Sequence, residues 1–326
     1  MTIDVLCLRP KDDFERADAL PPASLRVAYR SPDDVNVAAL MKQARALVIP
    51  AVGAKLPAAL FENSAIQFVQ VTGAGLDRLD LKVLQRLGIV VANVPGGSNR
   101  AVAEYVVTTA CVLSRRIAWA DAEIRAGNYR TFRARMIADN LAGLEESLVG
   151  VVGLGKIGLA VAQAFYNLGC RICYHDPAPR ELDAVKLLGA KSLPLDELLK
   201  SADVITLHLP LLPATQGLIG LSQLKEMKAG AILIQASRGE IVDEAALAEC
   251  LSSGHLGGAA VDVYSTEPPT ADHPLLALKG EAARKLLFTP HIAGVTRQAT
   301  AFLCRAAWRN VERVLIANEP PMDRAW

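Results

Sequence analysis

Five histidines are spread along the chain, and one of them, His291, stands where an apolar run gives way to a loop, in LLFTPHIAG. An imidazole titrates near neutral pH, so it can both donate and accept a proton under working conditions. Two other segments have the same character. In AILIQASRGEIVD an apolar run ends just before Arg238, and in GGAAVDVYSTEPP another ends ahead of Glu267. A guanidinium fork grips a carboxylate through two parallel hydrogen bonds. A carboxylate beside an imidazole orients the ring and steadies its charged form. Arg238, Glu267 and His291 are therefore a set that could hold an acid and move a proton. Read singly, Arg238 could be a cap or ion-pair residue, Glu267 a turn residue before Pro268, and His291 a satisfied buried histidine. Nothing in their spacing shows that the three converge.

A second chemical signal is GVVGLGKIG, which holds Gly153-x-Gly155-x-x-Gly158. The β-rich run Leu148–Val152 precedes it, and a helical run over about 157–168 follows. Gly153 would permit a tight turn, Gly155 a close backbone approach to a pyrophosphate, and Gly158 close packing of helix on strand. The helix opening at Lys156 and Ile157 would present backbone N–H groups to phosphate. The next strand-like run, CRICYHD, ends at Asp176, 18 residues after Gly158. That offset suits the acid that binds a ribose diol, and a carboxylate there repels a 2′-phosphate. The pattern points to NAD, with NADH preferred over NADPH. His175 reads as a strand residue, His208 as structural or cofactor-adjacent, and His255 and His273 as loop or surface residues.

These groups need a scaffold that sets them at strand ends. Apolar runs near 3–8, 25–29, 46–49, 68–72 and 89–92 alternate with helix-like stretches such as 32–42 and 79–87. A second series runs SLVGVVG, CRICYH, VITLHLP, AILIQAS, AAVDVY, LLFTPHI. Strands interleaved with helices imply two mostly parallel α/β blocks. The loop signal NVPGGSN joins them, a long helix is expected over about 100–116, and a last one over about 296–317 returns the chain to the first block. The tail NEPPMDRAW reads as a loose end. With 35 Lys+Arg against 34 Asp+Glu, the net charge of +1 disfavours nucleic acid or an acidic membrane as partner. No apolar window approaches the roughly 20 residues of a membrane span, and the N-terminus lacks the pattern of a secretory signal, so a cytoplasmic protein is expected. Six cysteines are too few for a disulfide scaffold. The spacing Cys170-x-x-Cys173 falls on a strand, where residues three apart face opposite ways, so no metal site is expected.

The ordered segments TGAGLDRLD, NVPGGSNRAVAEYVV, GVVGLGKIG, HLPLLPAT, QASRGEIVDEAAL, GGAAVDVYSTEPP and TPHIAG resemble those of the D-isomer-specific 2-hydroxyacid dehydrogenases. The resemblance implies two Rossmann-like or flavodoxin-like parallel-sheet domains with a cleft between them. Residues 1–98 with 297–326 would form the substrate-binding, flavodoxin-like domain, and 99–296 the NAD-binding Rossmann domain. It implies that Arg238 binds the substrate carboxylate, His291 is the general acid–base, and Glu267 holds its ring. Backbone N–H groups near Val52-Gly53 and Ala74-Gly75 would hold the carboxylate. Asp262 would approach the nicotinamide amide, Ala236 would line the nicotinamide end, and Pro210 and Thr215 would cover the nucleotide. The partner is a small 2-keto or 2-hydroxy acid. The apolar helix bearing Tyr105, Val106, Cys111 and Leu113 implies a homodimer, with packing inside the chain as the alternative.

Two departures bear on the substrate. The stretch Ala51-Val52-Gly53-Ala54 stands where many relatives place an Arg-Ser pair, and the nearest basic residue is Lys55. The 326 residues also leave no room for the C-terminal regulatory domain of long phosphoglycerate dehydrogenases. A glyoxylate- or hydroxypyruvate-like acid is thus expected ahead of 3-phosphoglycerate. Two alternatives remain: a different oxidation by the same three residues, with a hydride donor such as phosphite, and an NAD-sensing scaffold resembling the corepressors that keep the fold and the three residues.

Overall fold

The computed structural model describes residues 3–178 and 183–326. It divides into two units, residues up to Ser98 with Val295–Trp326, and Asn99–Gly294.

In the first unit Val5–Cys7 (β1), Val27–Tyr29 (β2), Ala46–Ile49 (β3), Phe68–Val71 (β4) and Val90–Ala92 (β5) pair in parallel, in the order β2-β1-β3-β4-β5. Near-continuous apolar runs are what a sheet buried on both faces requires. Leu6, Leu47, Ile49, Val69 and Val91 fill one face, and Val5, Cys7, Ala46, Val48 and Phe68 the other. Connections reverse direction between β1 and β3, so the loops after those strands flank the crevice where such sheets take ligands. The helix Arg297–Leu315 packs on β3 and β4. Its amphipathic run starts on Thr296, whose side chain caps Ala299 N–H.

The tail is not loose. Asn310, 3% exposed, exchanges hydrogen bonds with the Met322 backbone and donates to Gln70 on β4. Arg324 then bridges Ala92 antiparallel. The tail covers the free edge of β5, an edge that would otherwise expose unpaired backbone groups. A polar, proline-rich composition carries no sign of that pairing.

In the second unit Leu148–Val152 (β6), Arg171–His175 (β7), Lys191–Ser192 (β8), Val204–Leu207 (β9), Ile232–Gln235 (β10), Gly258–Val261 (β11) and Leu286–Phe288 (β12) form a parallel sheet, ordered β12-β11-β10-β9-β6-β7-β8. This is the doubly wound arrangement, with its switch point between β6 and β9. β8 is too short to show as a periodic run. Cys173 packs into the core on one face of this sheet and Cys170 into the core on the other.

The helix Asn99–Ser114 packs Val102, Ala103, Val106, Ala110 and Leu113 into a core of this same unit. The apolarity that raised the idea of a homodimer is thus largely spent inside the chain. Two further helices, Ile117–Arg125 and Tyr129–Ala138, follow it. The helix expected over 32–42 shrinks to Val37–Met41, because Pro32 to Asn36 form turns stabilised by Asp34.

Candidate active site

The loop after β6 has the shape a dinucleotide needs. Gly153 adopts φ +89°, and a Cβ there would lie 2.6 Å from the His208 carbonyl oxygen. A Cβ on Gly158 would fall 2.0 Å from the Gly153 carbonyl, so only glycine lets the helix Lys156–Tyr166 start this close to the strand. At Gly155 the same construction meets nothing within 4 Å. The first and third glycines are thus demanded by packing, whereas Gly155 opens onto space where a phosphate could approach the helix start at Lys156 and Ile157. Asp176 sits just past β7, with Oδ2 accepting Leu154 N–H at 2.8 Å and Oδ1 accepting Ala178 N–H at 2.9 Å. Its carboxylate is tied directly to the glycine loop. Pro210 and Thr215 share one turn after β9, in which the Thr215 hydroxyl donates to the Pro210 carbonyl at 2.6 Å. His208, between that turn and the glycine loop, is held neutral because burial pushes its imidazole down to about 3.

Glu267 and His291 are together. Nδ1 of His291 lies 2.9 Å from Glu267 Oε2 and 3.1 Å from Oε1. A carboxylate only accepts, so Nδ1 carries the proton and Nε2 is left for chemistry. Glu267 is itself aimed by Tyr264 N–H, which donates to Oε1 at 3.1 Å. Arg238 follows β10, with its carbonyl taken by Gln235 Nε2 and its Nη1 donating to Ser237 O. The next residue, Gly239, packs so tightly that a Cβ would stand 2.0 Å from Tyr264 O. Tyr264 therefore connects the Arg238 turn to the segment carrying Glu267. Ala236, partly buried, lies between β10 and this turn.

Asp262, 1% exposed, follows β11 directly and holds the His291 turn. Its Oδ1 accepts the Thr289 hydroxyl at 2.5 Å and Ile292 N–H at 2.8 Å, and Oδ2 accepts Ala293 N–H at 2.8 Å. His291 has φ +55°, a left-handed conformation that this clamp stabilises. His273 is a second surprise. It is buried, its Nε2 lies 3.0 Å from Glu244, and Glu244 binds the Ser265 backbone and hydroxyl. It is a support beneath the Glu267 segment, not a surface residue. His255 is half-buried.

In the first unit Val52 and Gly53 lie on the exposed loop after β3, and Ala74 and Gly75 on the loop after β4. Gly73 packs on Ala51, where a Cβ would come within 2.6 Å of the Ala51 methyl. Asn93 Nδ2 holds the Ala74 carbonyl at 2.6 Å. Sequence reasoning missed Arg78. It is 4% exposed, and donates from Nε to Ala54 O at 2.9 Å and from Nη1 to Pro50 O at 3.1 Å. Burial draws its guanidinium below the ordinary arginine value. Its place inside TGAGLDRLD was the available signal, but the carbonyls it grips are about 25 residues away.

The profile of the D-isomer specific 2-hydroxyacid dehydrogenase NAD binding domain matches residues 107–293. The glyoxylate reductase of Aeropyrum pernix is 35% identical over 264 residues, covering 80% of this chain and 77% of that protein. The chain belongs to the D-isomer-specific 2-hydroxyacid dehydrogenases. The D-3-phosphoglycerate dehydrogenase of Archaeoglobus fulgidus is 38% identical over 234 residues, 72% of this chain and 42% of that longer protein. The chain thus spans less than half the length of that relative. A solved Thermus thermophilus structure matches with a TM-score of 0.82 at 29% identity, over 99% of this chain and all of that one. In this D-2-hydroxyacid dehydrogenase family member the residues matched by the NAD binding domain profile lie within the unit that carries the glycine loop and the Glu267–His291 pair.

Proposed function

We propose that this protein is an NAD(H)-dependent 2-keto acid reductase, interconverting a small 2-keto acid of the glyoxylate or hydroxypyruvate class with its D-2-hydroxy acid. The observation that carries the reading is the His291–Glu267 pair, built within the unit that bears the dinucleotide-type glycine loop. Bound NADH supplies the hydride to C2. His291 Nε2 holds the proton given to the carbonyl oxygen, while Glu267 keeps Nδ1 protonated and the imidazolium oriented. Arg238 binds the substrate carboxylate and polarises the C2 oxygen. The backbone around Val52-Gly53 and Ala74-Gly75 carries N–H donors suited to a substrate carboxylate, which is the basis for giving the first unit the substrate-binding role and the second the cofactor role. Gly155, Lys156 and Ile157 approach the pyrophosphate, Asp176 the ribose diol, and Pro210, Thr215, Ala236 and Asp262 the rest of the nucleotide.

The NADH preference is supported by Asp176, whose carboxylate at the glycine loop repels a 2′-phosphate. A homodimer is supported by Ile117, Ile124, Tyr129 and Ile137, large apolar side chains left half or more exposed on the two helices after Ser114. A cytoplasmic setting is supported by six cysteines that stand as free thiols. Among the described residues no helix is long and apolar enough to cross a membrane.

Oxidation of 3-phosphoglycerate is the second reading, favoured by the name of the Archaeoglobus fulgidus relative. The test is NADH consumption against glyoxylate, hydroxypyruvate, pyruvate and longer 2-keto acids, with 3-phosphoglycerate and NAD assayed in reverse. Rapid turnover of a keto acid supports the first reading, and turnover of 3-phosphoglycerate alone supports the second. Tight NADH binding with no turnover on any of them overturns both in favour of a substrate outside this set or an NAD-sensing scaffold.

A further inference from the structure

The hydroxyls around the His291 turn form a chain with one direction. Thr289 Oγ1 lies 2.5 Å from Asp262 Oδ1 and 2.7 Å from Tyr105 Oη. A carboxylate accepts and cannot donate, so the single Thr289 proton goes to Asp262. The Thr289 oxygen must then accept, and the Tyr105 hydroxyl is the donor. The order is Tyr105 O–H to Thr289 O–H to Asp262 carboxylate, with both hydroxyls acting as donors in series. Burial pushes the Tyr105 phenol up to about 12, so it keeps its proton throughout the working range.

The end of that chain is the residue that grips the proton-transfer loop. Asp262 receives Ile292 N–H and Ala293 N–H, and its own carbonyl receives His291 N–H at 2.8 Å. The Thr289 carbonyl also accepts His291 N–H, at 3.1 Å, and accepts the Tyr264 hydroxyl at 2.9 Å. Thr289 therefore holds the turn from its main chain and from its side chain. Tyr105 belongs to the helix Asn99–Ser114, some 180 residues earlier. That helix is packed against β10 and β11, the strands that lead to Arg238 and Asp262.

We propose that Tyr105 and Thr289 are positioning residues for His291, acting in series through Asp262, and that the helix Asn99–Ser114 is the rigid reference against which the imidazole is set. The inference rests on the reading of His291 as the acid–base. Nearby hydrogen bonds polarise one another, so the tyrosine's contribution reaches the loop through its hydrogen bond to the threonine.

The test combines kinetics with a readout that needs no turnover. Tyr105→Phe removes only the first proton and lowers kcat about three- to tenfold, the value of one modest hydrogen bond, with KM for the keto acid within about twofold. Thr289→Val keeps the volume, breaks both hydroxyl bonds and lowers kcat about tenfold or more, while Thr289→Ser restores it to within about twofold. The double variant Tyr105→Phe/Thr289→Val is no slower than Thr289→Val alone, because the tyrosine's effect has already been cut off. In parallel, the His291 Cε1–Hε1 resonance, identified by its loss in His291→Asn, shifts in Tyr105→Phe and Thr289→Val and returns in Thr289→Ser. Losses that multiply in the double variant overturn the series arrangement. A Tyr105→Phe protein with unchanged kcat and an unmoved His291 resonance overturns the role of Tyr105, and Thr289→Ser behaving like valine overturns that of Thr289. If the unmutated protein turns over no keto acid, the functional reading fails. The resonance still decides whether the hydroxyl chain orients the ring.

Discussion

His291 Nδ1 is held against both oxygens of Glu267, at 2.9 and 3.1 Å, while the His291 backbone is held by Asp262 and Thr289. The ring is thereby fixed in position and in tautomer, leaving Nε2 as the only nitrogen for a substrate oxygen. His291→Asn is expected to lower kcat by about a hundredfold or more, the range for loss of a positioned acid, with NADH affinity nearly unchanged. Glu267→Gln keeps the shape but can present its amide to Nδ1, which frees the wrong tautomer, and is expected to lower kcat about tenfold or more. Steady-state kinetics and NADH fluorescence titration check both. A His291→Asn protein with full turnover removes the imidazole from the chemistry.

Asp176 braces Leu154 in the glycine loop. In the proposed reading the same carboxylate is the negative charge a 2′-phosphate would have to meet. Asp176→Ala should narrow the NADH-over-NADPH ratio of kcat/KM by about tenfold or more, the scale of one charge–charge contact near a protein surface. Because the loop loses a brace, KM for NADH should rise as well. An unchanged ratio places the ribose elsewhere.

How much of this was readable in residue order depends on the range of the interaction. The glycine loop and Asp176 were legible because one strand–turn–helix–strand unit contains them. Strands β3, β6 and β10 were legible because both faces are buried, which leaves unbroken apolar runs. Arg238, Glu267 and His291 each show as a polar residue after such a run. What sets the Arg238 turn beside the segment carrying Glu267 is not legible, since it depends on Gly239 packing against Tyr264 in the loop after a different strand. Thr289, Tyr105 and Arg78 escaped for the same reason, as each acts on a partner far away in sequence. His273 and the tail were misread because polar composition signals solvent unless a buried partner, here Glu244 or Asn310, is known.

His208 makes a pH prediction. Its imidazole, pushed down to about 3 by burial, stays neutral in the folded state at pH values where an unfolded histidine, titrating near 6.5, takes up a proton. The unfolded state then binds more protons than the folded one, so stability falls as pH drops below about 6.5 and continues to fall toward about 3. Between pH 6 and pH 4 this site alone is expected to remove at most about 2.5 kcal/mol. In His208→Gln that component disappears, and the decline in Tm over the same interval should be shallower than in the parent. Parallel Tm curves for the two proteins would show that His208 is already open to water.

Arg78 gives the sharpest prediction for the first unit. Its fork spans Pro50 O and Ala54 O, either side of Val52-Gly53, and a Cβ on Gly53 would lie 3.3 Å from its Cζ. The loop is therefore shaped by a buried guanidinium gripping two carbonyls at once, which a lysine ammonium on a single flexible stem does not reproduce. Arg78→Met should loosen the loop and raise KM for the keto acid about tenfold, with a smaller change in kcat, since loss of uniform binding appears in KM. If the fork matters, Arg78→Lys behaves like the methionine variant. If the positive charge alone matters, lysine restores KM, and the loop's shape is then set by Gly73 on Ala51 and by Asn93 on Ala74 instead.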